Sequence, residues 1–144
     1  MALCSRGTRG IYQKEMNIIL DTCSLLYAAF EKQKLSQVAS DLISNPLHQL
    51  FLSSISSYEI IVKYKLGKLK LTQNPVEFIL ECRDKFNILE LPVMEKEIAY
   101  MLELPNLHGD PFDRIIIAQA LANDFFILTP DKLIHNYKMV KVVW

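Results

Sequence analysis

The sequence is poor in the residues that mark fibrous, low-complexity and disulfide-bonded proteins. Its 144 residues include only four glycines and six prolines, and 51% of them are hydrophobic, which excludes collagen-like and disordered chains. The three cysteines are widely spaced, with no C-x-x-C pair and no nearby histidine to complete a zinc site. This composition predicts one folded domain in a reducing cytoplasm.

Long hydrophobic runs and an excess of one charge are also missing. The longest apolar stretches, such as residues 115–117 and 125–128, fall far short of the roughly 20 residues of a membrane span, so no membrane partner is expected. Sixteen basic residues balance sixteen acidic ones, which leaves a local basic patch as the only electrostatic means of binding nucleic acid.

The first fifteen residues differ from the rest of the chain. They carry basic residues but no apolar segment of the kind found in a secretory signal. We interpret residues 1–15 as a disordered leader and residues 16–144 as the folded domain. A second methionine, Met16, stands directly before the first strand-like segment, which is consistent with an extension upstream of a later start.

After Met16, short apolar segments alternate with amphipathic ones. This alternation predicts βα units around a buried parallel sheet, because strands covered on both faces are apolar throughout. The predicted strands are Asn17–Leu20, Gln49–Ser53, Asn87–Leu91, Phe125–Thr129 and Val140–Val143. The predicted helices are Ser24–Phe30, Leu35–Ser44, Ser57–Leu66, Pro75–Lys85, Glu95–Leu104, Pro111–Asn123 and Asp131–Tyr137.

Four acidic residues occupy positions that such a fold brings to one edge of the sheet. Asp21 directly follows the first strand and Asp131 follows the fourth, while Glu59 and Asp113 lie early in helices whose N-termini face the same edge. Two unpaired carboxylates about 4 Å apart repel by roughly 4 kcal/mol. Convergence therefore requires a cation, and oxygen ligands suit Mg²⁺ or Mn²⁺, which can activate water for attack on a phosphodiester.

Each acid also has a purely structural interpretation. Asp110 precedes a proline in the pattern of a helix N-cap, Asp113 can complement a helix dipole, and Asp131 can cap a short helix. Glu59 can be a solvated helix residue, although its apolar neighbours favour burial. Asp21 is the hardest to explain in this way, because a buried unpaired carboxylate costs several kcal/mol.

Basic residues near these acids form a candidate RNA-binding strip. Lys63, Lys65 and Lys68 follow Glu59 on the same helix and the turn after it, and Arg114 adjoins the third acid. They can track phosphate groups. The alternative is a solvated helix end whose lysines complement the C-terminal dipole, with Arg114 neutralising the acids.

Four segments occur in a recognisable order and spacing: ILDTCSLL, ISSYEIIVKYKLGKLKL, HGDPFDRIIIAQALA and ILTPDKLI. Together they resemble the PIN-domain ribonucleases, and among these the VapC-type toxins of toxin–antitoxin pairs, from about Met16 to Trp144. The resemblance implies an α/β fold, a three-layer α/β/α sandwich with a mostly parallel five-stranded sheet. It also implies a Mg²⁺- or Mn²⁺-dependent endoribonuclease, a homodimer, and a cognate antitoxin that inserts a segment into the active site.

The resemblance also assigns roles to residues of this sequence. The four catalytic and metal-binding acids are Asp21, Glu59, Asp113 and Asp131. Asp110 is a fifth, supporting acid, and the hydroxyl residues Thr22 and Thr129 support the first and fourth acids. Tyr27 and Phe30, on the helix after the first strand, are candidates for the dimer interface.

Other functions are compatible with parts of this pattern. A PIN-type nuclease of RNA processing or DNA repair would share the chemistry but have no antitoxin. A haloacid-dehalogenase-type phosphatase would need an acid at position 23, which is Cys23. A degenerate, non-catalytic PIN binding module is disfavoured because all four family acids are present.

Overall fold

The computed structural model describes residues 14–107 and 109–144. The leader predicted over residues 1–15 lies outside the described residues except for its last two. The strands are β1 (Asn17–Leu20), β2 (Gln49–Ser53), β3 (Ile88–Leu91), β4 (Phe126–Leu128) and β5 (Lys141–Val143). The helices are α1 (Thr22–Phe30), α2 (Gln37–Ser44), α3 (Ser54–Lys65), α4 (Pro75–Phe86), α5 (Glu95–Ile98), α6 (Pro111–Asn123) and α7 (Lys132–His135), with short 3₁₀ helices at Lys32–Lys34 and Ala99–Leu102.

The strands form one five-stranded sheet in the order β3-β2-β1-β4-β5. Every neighbouring pair is parallel, so the predicted parallel sheet is confirmed. The chain runs from β1 to one edge through β2 and β3, and then crosses to the other side of β1 for β4 and β5. The carboxyl end of β1 is therefore the point where strand order reverses, which is where open parallel sheets bind ligands.

Helices cover both faces of the sheet, as predicted for a three-layer α/β/α sandwich. On one face, Ile18 and Leu20 of β1 pack with buried residues of α1 to α4. On the other face, Ile19 packs with buried residues of α6 and α7. Side chains of a strand alternate between faces, so β1 contributes to both cores, and its three apolar residues Ile18, Ile19 and Leu20 are completely buried at the centre of the fold.

Side-chain caps set several helix boundaries that the apolar pattern placed a few residues away. α1 begins at Thr22 because the Asp21 side chain accepts a hydrogen bond from the Ser24 backbone N–H. In the same way, Ser53 caps α3, which starts at residue 54 rather than at the predicted 57. Asn87 adopts φ 53° as the left-handed cap of α4, so β3 begins one residue later than predicted.

One predicted helix is divided. The segment predicted as a helix over residues 95–104 is α5 followed by the 3₁₀ helix Ala99–Leu102. The turn of α5 is held by the buried carboxylate of Glu97, which accepts a hydrogen bond from the Met94 backbone N–H at 2.8 Å and another from the Asn123 side chain of α6 at 2.6 Å. None of the helices within residues 14–107 and 109–144 has the length and apolar character needed to span a bilayer.

Candidate active site

Asp21 stands at the carboxyl end of β1, where it is 4% exposed. One carboxylate oxygen, Oδ1, accepts a hydrogen bond from the Ser24 backbone N–H at 2.7 Å, and the other accepts one from the Thr129 hydroxyl. Burial raises the pKa of Asp21, the hydrogen bonds from Ser24 and Thr129 oppose this shift, and the charge of Asp131 adds to it. The two hydrogen bonds therefore fix the Asp21 carboxylate but do not fully offset the cost of burying its charge.

Thr129 joins the ends of β1 and β4. Its hydroxyl donates to Asp21 and accepts a hydrogen bond from the Asp131 backbone N–H at 3.0 Å. A second link is the Ser24 hydroxyl, which donates to the Leu128 carbonyl at 2.6 Å. Thr129 was predicted to support the fourth acid, and in the structure it holds both the first acid and the backbone of the fourth.

Glu59 lies on α3 and is also buried, at 5% exposure. Its Oε1 accepts a hydrogen bond from the Thr22 hydroxyl at 2.9 Å, and its Oε2 lies 2.7 Å from the Lys63 ammonium one helical turn later. The hydrogen bond to Glu59 raises the pKa of Lys63, partial burial opposes this shift, and the charges of Asp110 and Asp113 add to it. Both oxygens of the Glu59 carboxylate thus have partners.

The remaining acids lie at helix starts and are partly buried. Asp110 caps α6 by accepting a hydrogen bond from the Phe112 backbone N–H at 2.9 Å, so its predicted structural role is present. Asp131 caps α7 in the same manner through the Leu133 backbone N–H at 2.8 Å. Asp113 lies in the first turn of α6, close enough to the Lys63 ammonium to influence it electrostatically.

These residues surround one depression of about 520 Å³, which we call the acidic cleft. It is lined by Asp21, Thr22, Cys23, Leu26, Tyr27, Glu59, Lys63, Asp110, Asp113, Pro130 and Asp131. All five predicted acids contribute, from four separate segments of the chain. Among the described lining residues, Lys63 is the only basic one, so the formal charge of the acidic cleft is strongly negative.

Three of the four predicted basic contacts lie outside the acidic cleft. Lys65 and Lys68 are exposed at the end of α3 and in the following turn. Arg114 borders a neighbouring depression together with Asn106 and Leu107, and donates a hydrogen bond to the Pro105 carbonyl at 3.3 Å. Their assignment to RNA binding stays a prediction.

The wall formed by α1 was not assigned to the acidic cleft from the sequence. Cys23, Leu26 and Tyr27 have the i, i+3, i+4 spacing of one helix face, and that face follows directly from Asp21, so a signal was present. Burial raises the pKa of Cys23, which keeps its side chain a thiol near neutral pH. Tyr27 and Phe30 were predicted at a dimer interface, and Phe30 is 57% exposed.

The donor set of the acidic cleft fits a hard divalent cation. Carboxylate and hydroxyl oxygens are the ligands of Mg²⁺ and Mn²⁺, and the buried charge of Asp21 is the kind that a cation relieves. As they are placed, no three His, Cys, Asp or Glu side chains of the described chain lie close enough together to hold an ion. An ion held by three of these carboxylates would require the less constrained ones to move towards Asp21 and Glu59, and Lys63 stands beside Glu59.

The chain is similar to known proteins over nearly its whole length. The family model of the PIN domain matches residues 18–138, a span that includes all five acids. VapBC2 from Rickettsia felis, solved with a DNA fragment from its promoter, is 18% identical, with a TM-score of 0.68 covering 90% of this chain and 99% of that one.

Two further solved structures show the same likeness. FitAcB from Neisseria gonorrhoeae is 22% identical, with a TM-score of 0.62 and coverage of 88% and 96%. VapBC-1 from nontypeable Haemophilus influenzae is 19% identical, with a TM-score of 0.63 and coverage of 89% and 97%. None of the curated proteins matches the sequence. At such low sequence identities, these similarities establish a shared fold and nothing more.

Proposed function

Because this chain belongs to the PIN domain family, we propose that it is a Mg²⁺- or Mn²⁺-dependent endoribonuclease that acts as the toxin of a VapBC-type toxin–antitoxin pair. The observation that carries the proposal is the convergence of five carboxylates from four segments on one acidic cleft at the carboxyl edge of the sheet. Three of these acids cap helices, but capping does not require them to share one cleft, where their mutual repulsion opposes folding.

Asp21, Glu59, Asp113 and Asp131 would hold the ion, with Asp110 supporting them from the start of α6. Two of these side chains are fixed by neighbours, Asp21 by Thr129 and Glu59 by Thr22. Fixed carboxylates lower the reorganisation needed when substrate binds. The chemistry that a bound Mg²⁺ or Mn²⁺ supplies in such a site is the activation of water and the neutralisation of charge at the scissile phosphate.

Basic residues around the acidic cleft would position the RNA. Lys63 lies within the acidic cleft, while Lys65 and Lys68 extend positive charge along the exposed end of α3. Arg114 borders the neighbouring depression beside the start of α6. We propose that these side chains contact phosphates on either side of the bond to be cleaved, because the net charge of the whole chain provides no general attraction for RNA.

The partner proposal is supported by the similar structures. This chain aligns with nearly the whole of the matched chains in VapBC2 and VapBC-1, of which 99% and 97% are covered. We propose a cognate antitoxin that inserts a segment into the acidic cleft. We further propose a cytoplasmic homodimer in which the exposed ring of Phe30 contributes to the interface.

Cleavage of RNA by the purified protein tests the enzymatic part. The protein is incubated with end-labelled RNA in Mg²⁺, Mn²⁺ or EDTA, beside Asp21→Asn and Asp41→Asn. We expect cleavage with either ion and none with EDTA, and we expect Asp21→Asn to lose at least about a hundredfold in rate. Asp41 is an exposed acid of α2 bonded to Gln37, so its variant is a matched control and should cleave like the wild type.

Undiminished cleavage by Asp21→Asn in Mg²⁺ would contradict the assignment of the site. Induced expression of the wild type and of Asp21→Asn in a growing bacterium then tests the toxin role. Growth arrest by the wild type alone, relieved by co-expression of the protein encoded by a neighbouring reading frame, is the expected result. Mg²⁺-dependent cleavage without growth arrest would favour a nuclease of RNA processing or DNA repair that has no antitoxin.

A further inference from the structure

Lys63 is placed differently from the other basic residues near the acidic cleft. It lies on α3 four residues after Glu59, and its Nζ approaches Glu59 Oε2 to 2.7 Å. The Lys63 side chain is 46% exposed, whereas that of Glu59 is only 7% exposed. The ammonium therefore reaches from the solvent edge onto a buried carboxylate instead of extending into water.

The position of this ammonium is that of a counter-ion for the acidic cleft. Of the described residues that line the acidic cleft, Lys63 alone is basic, and the charges of Asp110 and Asp113 act on it in addition to that of Glu59. The other Glu59 oxygen, Oε1, accepts the Thr22 hydroxyl. The Lys63 ammonium thus compensates negative charge at the place where a divalent ion would do the same.

An ammonium and a divalent ion cannot both occupy this place at low cost. Two cations beside one carboxylate repel each other, and the partial burial of the site weakens the screening of that repulsion by water. The side chain of Lys63 is long and half-exposed, so it can leave the carboxylate without disturbing the core. The carboxylate of Glu59, by contrast, is held by Thr22 and by its burial.

We propose that Lys63 is a built-in competitor of the divalent cation: its ammonium holds Glu59 in the cation-free acidic cleft and must leave before Glu59 can coordinate an ion. This inference rests on the divalent ion of the proposed function, but not on RNA cleavage. Lys63 is then a positioning residue that sets how much cation is needed to load the site. A contact between Lys63 and an RNA phosphate would then follow the arrival of the ion.

The test is the Mn²⁺ affinity of the purified full chain without RNA, measured by isothermal titration calorimetry and by the electron paramagnetic resonance signal of free Mn²⁺. Lys63→Met removes the charge and keeps the apolar stem. We expect this variant to bind Mn²⁺ on the order of tenfold more tightly than the wild type, a size typical of coupling between two sites. Lys63→Arg keeps the charge and should stay near the wild-type affinity.

Two controls separate a local effect from a general change in charge. Lys141 is also paired with a carboxylate, that of Asp124 at 3.0 Å, and has a similar exposure of 41%. It begins β5, at the opposite end of the sheet from the acidic cleft, so Lys141→Met should change the Mn²⁺ affinity less than about twofold. In a Glu59→Gln background, Lys63→Met should also give less than about a twofold gain, because the amide no longer anchors the ammonium.

An unchanged or weaker Mn²⁺ affinity of Lys63→Met would overturn the inference, as would an equal gain from Lys141→Met or the absence of Mn²⁺ binding in every variant. Circular dichroism establishes that each variant is folded, and Lys63→Gln provides a second charge-removing variant. The proposed function can fail separately. A tenfold gain in the Mn²⁺ affinity of Lys63→Met without cleavage of any RNA would support the competitor role of Lys63 and reject the proposed nuclease activity. Mg²⁺-dependent cleavage by the wild type with an unchanged Mn²⁺ affinity of Lys63→Met would reject only the competitor role.

Discussion

The cost of the buried Asp21 charge provides the sharpest prediction about the site. Burial raises the pKa of Asp21 above its ordinary value of 3.8, so in the absence of a cation desolvation outweighs the hydrogen bonds from Ser24 and Thr129. Asp21→Asn removes the charge and keeps an oxygen that can cap α1. We therefore expect this variant to be more stable than the wild type in EDTA at pH 7.5, by about 1 kcal/mol or more.

The alanine variant separates the charge from the hydrogen bonds. Asp21→Ala also removes the charge, but it leaves the Ser24 N–H without its cap partner and the Thr129 hydroxyl with no partner at position 21, where the asparagine amide can still donate to the Thr129 oxygen. Loss of an N-cap costs about 1 kcal/mol, and a buried polar group left unsatisfied costs about 1–3 kcal/mol. Asp21→Ala should consequently unfold about 2 kcal/mol more easily than Asp21→Asn, because both variants remove the acceptor of the Thr129 O–H and only the alanine also removes the cap.

The advantage of Asp21→Asn should depend on pH in a defined direction. Below pH 3.8 the carboxyl is protonated in both the folded and the unfolded wild type, and its charge has no effect on stability. As the pH rises above 3.8, the unfolded chain ionises before the folded one, so the wild type loses stability until the folded carboxyl has ionised as well. The gap between the two proteins should therefore widen from acid to neutral pH.

Urea unfolding followed by circular dichroism measures these differences at pH 4.5, 6.0 and 7.5 in EDTA. Adding Mg²⁺ or Mn²⁺ should stabilise the wild type by about 1.4 kcal/mol for each tenfold excess over the dissociation constant, and should leave Asp21→Asn nearly unaffected. The reasoning is refuted if Asp21→Asn in EDTA is clearly less stable than the wild type at pH 7.5. Equal stability of the asparagine and alanine variants would refute the role given to the hydrogen bonds.

Three further predictions concern stability. Burial lowers the pKa of His48, whose Nδ1 accepts the Met16 N–H at 3.2 Å, so the wild type should lose stability as the pH falls below 6.5. His48→Asn, which keeps an acceptor there, should remove that part of the pH slope, and an unchanged slope would contradict this assignment. Glu97→Ala should lower the free energy of unfolding by about 3 kcal/mol, because the Met94 N–H and the Asn123 side chain lose a buried acceptor. The Mn²⁺ affinity of this variant should not change. Thr129→Val should lower the free energy of unfolding in urea by about 2 kcal/mol, because only the Thr129 hydroxyl bonds Asp21. Thr129→Ser keeps the hydroxyl and should retain most of that stability, and equal losses in both variants would point to the methyl group instead.

Much of the fold followed from the sequence because its strands are short and apolar on both faces. β1 is the clearest case: four residues with an acid directly after them could only be a buried strand that ends at a polar edge. Helix ends were less predictable where a cap residue decides them, as the Ser53 side chain does for α3 and the left-handed backbone of Asn87 does for α4. The start of α5 is held by Glu97, whose partners on α6 lie more than twenty residues away.

The sequence was sufficient to predict which acidic residues line the candidate site. Asp21 lies where the end of the first strand places it, and Asp110 has the cap role that the following proline indicates. Glu59 reaches the acidic cleft from the middle of α3, not from the helix start that was predicted, because α3 begins at Ser54. The pairing of Lys63 with Glu59 was missed, although a glutamate four residues before a lysine on a helix is a favoured ion-pair spacing that the sequence displays. Tyr27 was missed in the acidic cleft because α1 begins closer to β1 than its apolar pattern suggested.

The hydrogen bond between Thr129 and Asp21 joins residues 108 positions apart, and this separation matters during biosynthesis. A nascent chain acquires Asp21 early, but β1 has no neighbour on one of its sides until β4 has left the ribosome. Domains fold only once their pairing segments are available, and residues emerge at about 5–20 per second. The acidic cleft is therefore completed only after β4 and Thr129 have been synthesised, roughly 5–20 s after Asp21 at these rates, and a shorter nascent chain lacks the hydroxyl that bonds Asp21.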